Sequence, residues 1–197
     1  MTPPPWLLTG HGLVALYAPA PAAPLGALML LRYAASPVGP YDELLWLAFT
    51  RTPAGWRPQV RSIVVSTGPS VAWGRRNWAI PKRRAHFAWA GGERAGEVRV
   101  TGKGGSEVAR LGYEVGTWRL PVTTALIPAP LRTLAQPGLD GEHGWLLTTP
   151  GATARVTPAR LTVWHADGLC PALPRLRPRL TLGVPDFRLV FPVPERA

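Results

Sequence analysis

Thr153-Ala154-Arg155-Val156-Thr157-Pro158-Ala159-Arg160-Leu161-Thr162-Val163-Trp164-His165 sets apolar Ala154, Val156, Leu161 and Val163 against polar Arg155, Thr157, Arg160 and Thr162. Alternation of this kind is what a strand with one buried face requires, because successive side chains leave a strand on opposite sides. Pro158 has no amide to donate, so the stretch is expected to break there into two strands. Outward from this segment the same grammar recurs. The 24 prolines and 21 glycines cut the chain into short apolar runs rather than long amphipathic ones. Strands are expected at Gly12–Tyr17, Ala27–Tyr33, Glu43–Phe49, Gln59–Ser66, Ala85–Trp89, Glu97–Thr101, Glu107–Tyr113, Gly144–Thr149 and Phe187–Phe191.

Helix is scarce. Ser70 to about Asn77 reads as one short helix with Ser70 as its cap and Pro81 beyond its end, and a second helical piece is expected within Pro130–Gln136. Gly102-Lys103-Gly104-Gly105 reads as a hairpin turn, and Pro171–Pro178 as a rigid surface loop. Many short strands with almost no helix imply a mostly β fold: an antiparallel sheet curled into an open or closed barrel, with a central pocket at its mouth. The chain of 197 residues is expected to form a single domain, 1–197.

With 46% hydrophobic and 17% charged residues, the chain is far from the composition of a disordered protein. Its formal charge of +11 raises the question of nucleic acid. The basic residues nevertheless form no long run and no recognisable nucleic-acid motif, so no nucleic-acid partner is expected. The first 31 residues hold no Asp, Glu, Lys or Arg. Pro19, Pro21 and Pro24 interrupt that stretch, each costing about 3 kcal/mol inside a helix, and the basic start of a signal peptide is missing. Strand, proline loop, strand is the expectation, with no membrane span. A lone cysteine, Cys170, makes no internal disulfide, which suits a reducing, cytoplasmic setting. His11, His86, His143 and His165 are scattered without ligand spacing, so no metal and no other cofactor is expected. A homo-oligomer is left open.

Of the 22 basic residues only Lys82 and Lys103 are lysines. An amine can lose its proton and attack a carbonyl, whereas a guanidinium cannot. Lys82 follows Pro81, is flanked by Arg83, and lies among Trp73, Trp78, Ile80, Phe87 and Trp89. Burial and a neighbouring cation both disfavour an ammonium, and would make this amine a nucleophile. The same residues also read as a surface basic cluster beside core tryptophans. A second stretch, Ser36-Pro37-Val38-Gly39-Pro40-Tyr41-Asp42-Glu43, carries the only carboxylates before Glu93. There Glu43 is either a loop-edge charge in water or a pocket group.

Pro5-Trp6-Leu7-Leu8-Thr9-Gly10-His11-Gly12, Gly39-Pro40-Tyr41-Asp42-Glu43 and Asn77-Trp78-Ala79-Ile80-Pro81-Lys82, taken in order, resemble a shorter branch of the acetoacetate decarboxylase-like superfamily. The resemblance runs over residues 5 to 90, with a further echo at Asp186–Pro192. It implies an antiparallel sheet curled round a pocket, Lys82 as a Schiff-base lysine, and Glu43 as the pocket glutamate that orients substrate or moves a proton. Arg83 stands where the family usually has a second lysine that keeps the first deprotonated. Arg32 is the nearest candidate for holding a substrate carboxylate, and Tyr41 and Trp78 are expected against the substrate. The implied function is a Schiff-base-forming lyase acting on a small oxo acid, by decarboxylation or by aldol or dehydration chemistry through an enamine. The alternative is a non-catalytic protein that binds a small acid on the same fold.

Overall fold

The computed structural model describes residues 2–140 and 143–197. Its strands are β1 (Trp6–Tyr17), β2 (Gly26–Ala35), β3 (Tyr41–Thr52), β4 (Gly55–Val65), β5 (Lys82–Arg84), β6 (His86–Gly91), β7 (Ala95–Thr101), β8 (Glu107–Val115), β9 (Leu120–Thr123), β10 (Leu134–Pro137), β11 (Trp145–Thr148), β12 (Gly151–His165), β13 (Leu180–Phe191) and β14 (Glu195–Arg196). Two helices accompany them, α1 (Gly68–Trp78) and the single turn α2 (Ala129–Arg132).

The main sheet runs β5-β4-β3-β2-β1-β13-β12-β8-β7-β6, and β9 adds to β12. Strands β5 and β6 lie at opposite ends of this order, yet only Ala85 separates them in the chain. The sheet therefore has to curl until its ends meet, and it is nearly closed into a barrel. Every pairing in it is antiparallel except β4 with β5, which the crossover helix α1 connects in parallel. Strands β10, β11 and β14 form a separate small sheet.

Pro158 does not break its strand. β12 is continuous from Gly151 to His165, and Pro158 falls in the gap between the residues that pair with β9 (Thr153–Val156) and those that pair with β8 (Ala159–His165). At such a change of neighbours a missing amide forfeits little of the ladder. The proline loop between β1 and β2 is present, as are the turn at Gly102–Gly105 and the loop at Pro171–Pro178. That last loop is not purely superficial, because Leu173 from it is fully buried in the barrel interior. Among the described residues no helix is long and apolar enough to cross a membrane.

Strands β2, β3 and β4 are buried on both faces, which is why they read as nearly unbroken apolar runs. One face, with Leu28, Leu30, Leu44, Trp46 and Val64, meets Phe87, Val98, Val100 and Leu111 from the far side of the barrel. The other face, with Leu31, Tyr33, Leu45, Ile63 and Val65, packs outward against Trp6, Trp78 and Ile80. Irregular pairing of β1 around Gly10 lets that one strand serve both layers, sending Trp6 and Leu8 outward and Leu13, Ala15 and Tyr17 inward.

Candidate active site

The tight turn at Pro37–Gly39, with Gly39 at φ +83°, joins β2 to β3 and sets Tyr33 opposite Tyr41, Arg32 opposite Asp42 and Leu31 opposite Glu43. Because faces alternate, Tyr33, Tyr41 and Glu43 share the outward side, while Arg32 and Asp42 take the inward one. Strand β5 continues the outward side by pairing Lys82 with Ile63. Helix α1 then covers it. Gly74 of that helix leaves room for the lysine stem: a Cβ there would lie 2.6 Å from Lys82 Cδ.

Lys82 and Glu43 are only 6% and 5% exposed. Nζ donates to Glu43 Oε2 at 2.7 Å and to Ser70 Oγ at 3.2 Å, and it sits 5.1 Å from the centre of the Tyr41 ring. Tyr33 donates its hydroxyl to the other carboxylate oxygen, Oε1, at 2.9 Å. Ser70 is thus a partner of the lysine and not the cap of α1. Thr67 holds the cap position without a side-chain bond, and Pro69 fills the first turn. Trp78, ending α1, meets Trp6 and Phe191 edge to face at 5.0 and 4.8 Å and donates its indole NH to Pro192 O. These side chains, with Leu134 and Leu189 on the rim, enclose a cavity of about 60 Å³ at the amine.

Burial is the largest single influence on the Lys82 pKa and acts to lower it, but the Glu43 carboxylate and Tyr41 together outweigh it, and the net direction is upward. The resting amine is therefore an ammonium. Tyr41 is pushed up to about 12, mainly by burial, and burial together with the Glu43 carboxylate raises Tyr33 well above its ordinary value, so both phenols are neutral.

Two expectations fail here for one reason. Arg83 follows Lys82 in a strand, so it leaves on the opposite side, where it is exposed and donates to Gly168 O at 2.8 Å and Ser62 Oγ at 3.3 Å. It is not in contact with the amine and does not keep it neutral. Arg32 likewise faces away from the lysine. It pairs with Asp42 at 3.1 Å and lies 4.6 Å over Trp89. There it lines a separate cavity of about 510 Å³ at the barrel mouth, with His11, Glu93, Arg94, Tyr113 and Arg119. The mouth is thus hollow, as a curled sheet suggests, but the lysine lies behind the barrel wall and not within it. Tyr41 and Trp78 do line the lysine's cavity. Tyr33, Ser70 and Gly74 are site residues that sequence reading missed. The signal for Tyr33 was partial: a turn at 37–39 makes a hairpin of the two strands, but a connection centred on Val38 would set Tyr33 opposite Glu43, and only the observed register, centred on Pro37, pairs it with Tyr41.

The arrangement can do one piece of chemistry well. A carboxylate in direct contact with a buried ammonium can take its proton when a carbonyl compound arrives, releasing a nucleophilic amine and holding the proton for the oxygen that later leaves. Among the described residues no group of three or more His, Cys, Asp or Glu is placed to hold a metal.

No protein-family model and no curated protein matches this chain. Solved structures do. An acetoacetate decarboxylase from Legionella pneumophila superposes with a TM-score of 0.67 at 14% identity, covering 99% of this chain and 88% of its own. A second acetoacetate decarboxylase gives 0.73 at 13% identity over 100% and 90%. The enduracididine biosynthesis enzyme MppR, solved with pyruvate, gives 0.67 at 15% identity over 100% and 91%. Superposing over nearly its whole length, this chain shares the fold of these acetoacetate decarboxylases and of MppR.

Proposed function

We propose that this protein is a lyase that forms a Schiff base between Lys82 and a small carbonyl compound, the class that includes the oxo acids its sequence motifs suggest. The observation that carries the reading is the 2.7 Å contact between a buried amine and a buried carboxylate at the edge of an aromatic cavity. Glu43 takes a proton from the ammonium, the free amine adds to the carbonyl carbon, and the carbinolamine loses water as Glu43 returns the proton to its oxygen. The resulting iminium accepts electrons from a neighbouring bond, which allows decarboxylation, retro-aldol cleavage or dehydration. Activation thus belongs to Glu43, in place of the arginine that the sequence suggested. Tyr33 fixes the carboxylate, and Ser70 and Tyr41 hold the amine in place.

A cavity of about 60 Å³ is well below the ~150 Å³ that accommodates benzene in an engineered core. Even a small substrate therefore has to displace part of the rim, where Leu134 and Leu189 are only half-buried. Borohydride reduction of the protein with a panel of small carbonyl compounds, pyruvate and acetoacetate included, is expected to leave one adduct on Lys82 and none there in Lys82→Met. Absence of a Lys82 adduct across the panel would defeat the reading and leave a non-catalytic binding protein.

A further inference from the structure

Building on the Schiff-base reading, we infer that the Lys82 pocket selects uncharged carbonyl compounds, aldehydes or simple ketones, over oxo acids of the same shape. The pocket contains one cation and one anion, Lys82 and Glu43, and they are already paired. The remaining wall is aliphatic or aromatic and offers no further charge. Trp78 donates to Pro192 O, Trp6 to Thr2 O and Tyr33 to Glu43, and the Tyr41 hydroxyl is a neutral phenol. Neither neighbouring arginine faces the cavity, since Arg83 reaches Gly168 and Arg32 pairs with Asp42 behind the sheet. A substrate carboxylate would find no cation of its own and would sit beside Glu43, whereas an unpaired charge in a buried site is strongly disfavoured.

The covalent steps keep the same balance. Ammonium plus carboxylate becomes amine plus carboxylic acid. The amine nitrogen then bonds to the carbonyl carbon, and the nitrogen's proton passes to the oxygen. Glu43 protonates that oxygen, the C–O bond breaks, and water leaves an iminium beside the restored carboxylate. With an uncharged carbonyl compound the pocket is neutral at each stage, while an oxo acid would carry one excess negative charge throughout. Having no carboxylate to lose, such a substrate reaches the enamine by giving an α-proton to Glu43 as the C–H electron pair forms the new C=C bond. The π pair of the iminium returns to nitrogen. Aldol addition and dehydration proceed from that enamine; retro-aldol cleavage instead starts from the iminium of a β-hydroxy carbonyl compound, whose Cα–Cβ pair flows into the iminium as Glu43 takes the hydroxyl proton, and decarboxylation has no place in the sequence.

The chain supplies its own control, because Lys103, the one other lysine, lies exposed in the turn between β7 and β8. Cyanoborohydride trapping at neutral pH with two matched pairs, glyoxylate against isobutyraldehyde and pyruvate against isopropyl methyl ketone, is read by peptide mass mapping. Lys82 labelling is normalised to Lys103, which removes the intrinsic electrophilicity of each compound. The uncharged member of each pair is expected to label Lys82 about tenfold or more faster, a conservative discount on the penalty for an unpaired buried charge. Equal or faster labelling by the acids overturns this inference and leaves the Schiff-base reading standing. Labelling of Lys103 alone by all four compounds overturns both.

Discussion

Replacing Glu43 by Gln would remove the charge that holds Lys82 in its ionised state while keeping the size of the side chain. The amide can still accept from Tyr33 through its oxygen, but a partner of full negative charge for the ammonium is gone. Two escapes are open to the lysine. It can stay charged and unpaired, which costs about 3–5 kcal/mol for a broken buried pair. It can instead give up its proton, which at neutral pH costs about 5 kcal/mol for a group whose ordinary value is 10.5. The second cost falls to under about 1 kcal/mol near pH 10, because the proton is then nearly free to leave. The destabilisation of Glu43→Gln is therefore expected to be about 3–5 kcal/mol at neutral pH and to shrink to about 1–2 kcal/mol near pH 10. The signs are opposite in the two proteins. In the natural chain the raised Lys82 pKa gives stability that is complete below 10.5 and is lost as pH rises through the higher folded value, whereas in the variant a lowered pKa makes stability climb with pH up to 10.5. Urea unfolding followed by tryptophan fluorescence reads both, with Trp6 and Trp78 reporting directly on the site. A deficit that stays constant within about 0.5 kcal/mol between the two pH values would refute a charged, Glu43-dependent Lys82.

Gly74→Ala should destabilise by about 1–3 kcal/mol despite the roughly 1 kcal/mol that alanine adds to helix propensity, because its Cβ meets the Lys82 stem. Thermal unfolding measures this, and a more stable variant would show that the stem moves aside freely. Arg83→Ala should leave the pH midpoint of Lys82 adduct formation in place, since the guanidinium faces Gly168; a midpoint displaced by about one pH unit or more would restore Arg83 as the activating cation. Alkaline unfolding should begin above about pH 10. Tyr17 and Tyr41, pushed up to about 12 by burial, together with Tyr33 and Lys82, keep protons in the folded chain that the unfolded chain releases, so stability falls as pH rises. Tyrosinate absorbance should therefore appear in step with loss of structure, and ionisation of these tyrosines near 10.0 in the folded protein would contradict it.

The strands were legible because burial of one or both faces imprints a short-range pattern on the chain, and the turns were legible because few residues tolerate their backbone angles. The Asn77–Lys82 motif and the rarity of lysine singled out Lys82, which is a buried amine in the structure, because both are features of the local sequence. Closure of the sheet was only partly legible. Its decisive feature, that β5 and β6 are chain neighbours at opposite ends of the sheet, lies in strand order and not in composition. Strand β5 has three residues, too few to display a period, so reading the strand from Ala85 onward places Arg83 beside the amine when the pleat sends it away. Ser70 shows the same limit, since a serine near a helix start caps it in most contexts and here is drawn to a lysine twelve residues on. What only the tertiary structure decided is the charge of Lys82. That depends on a carboxylate 39 residues earlier in the chain, brought to 2.7 Å by the pairing of β3, β4 and β5, and a Coulomb interaction between such distant residues leaves no trace in the local sequence of either.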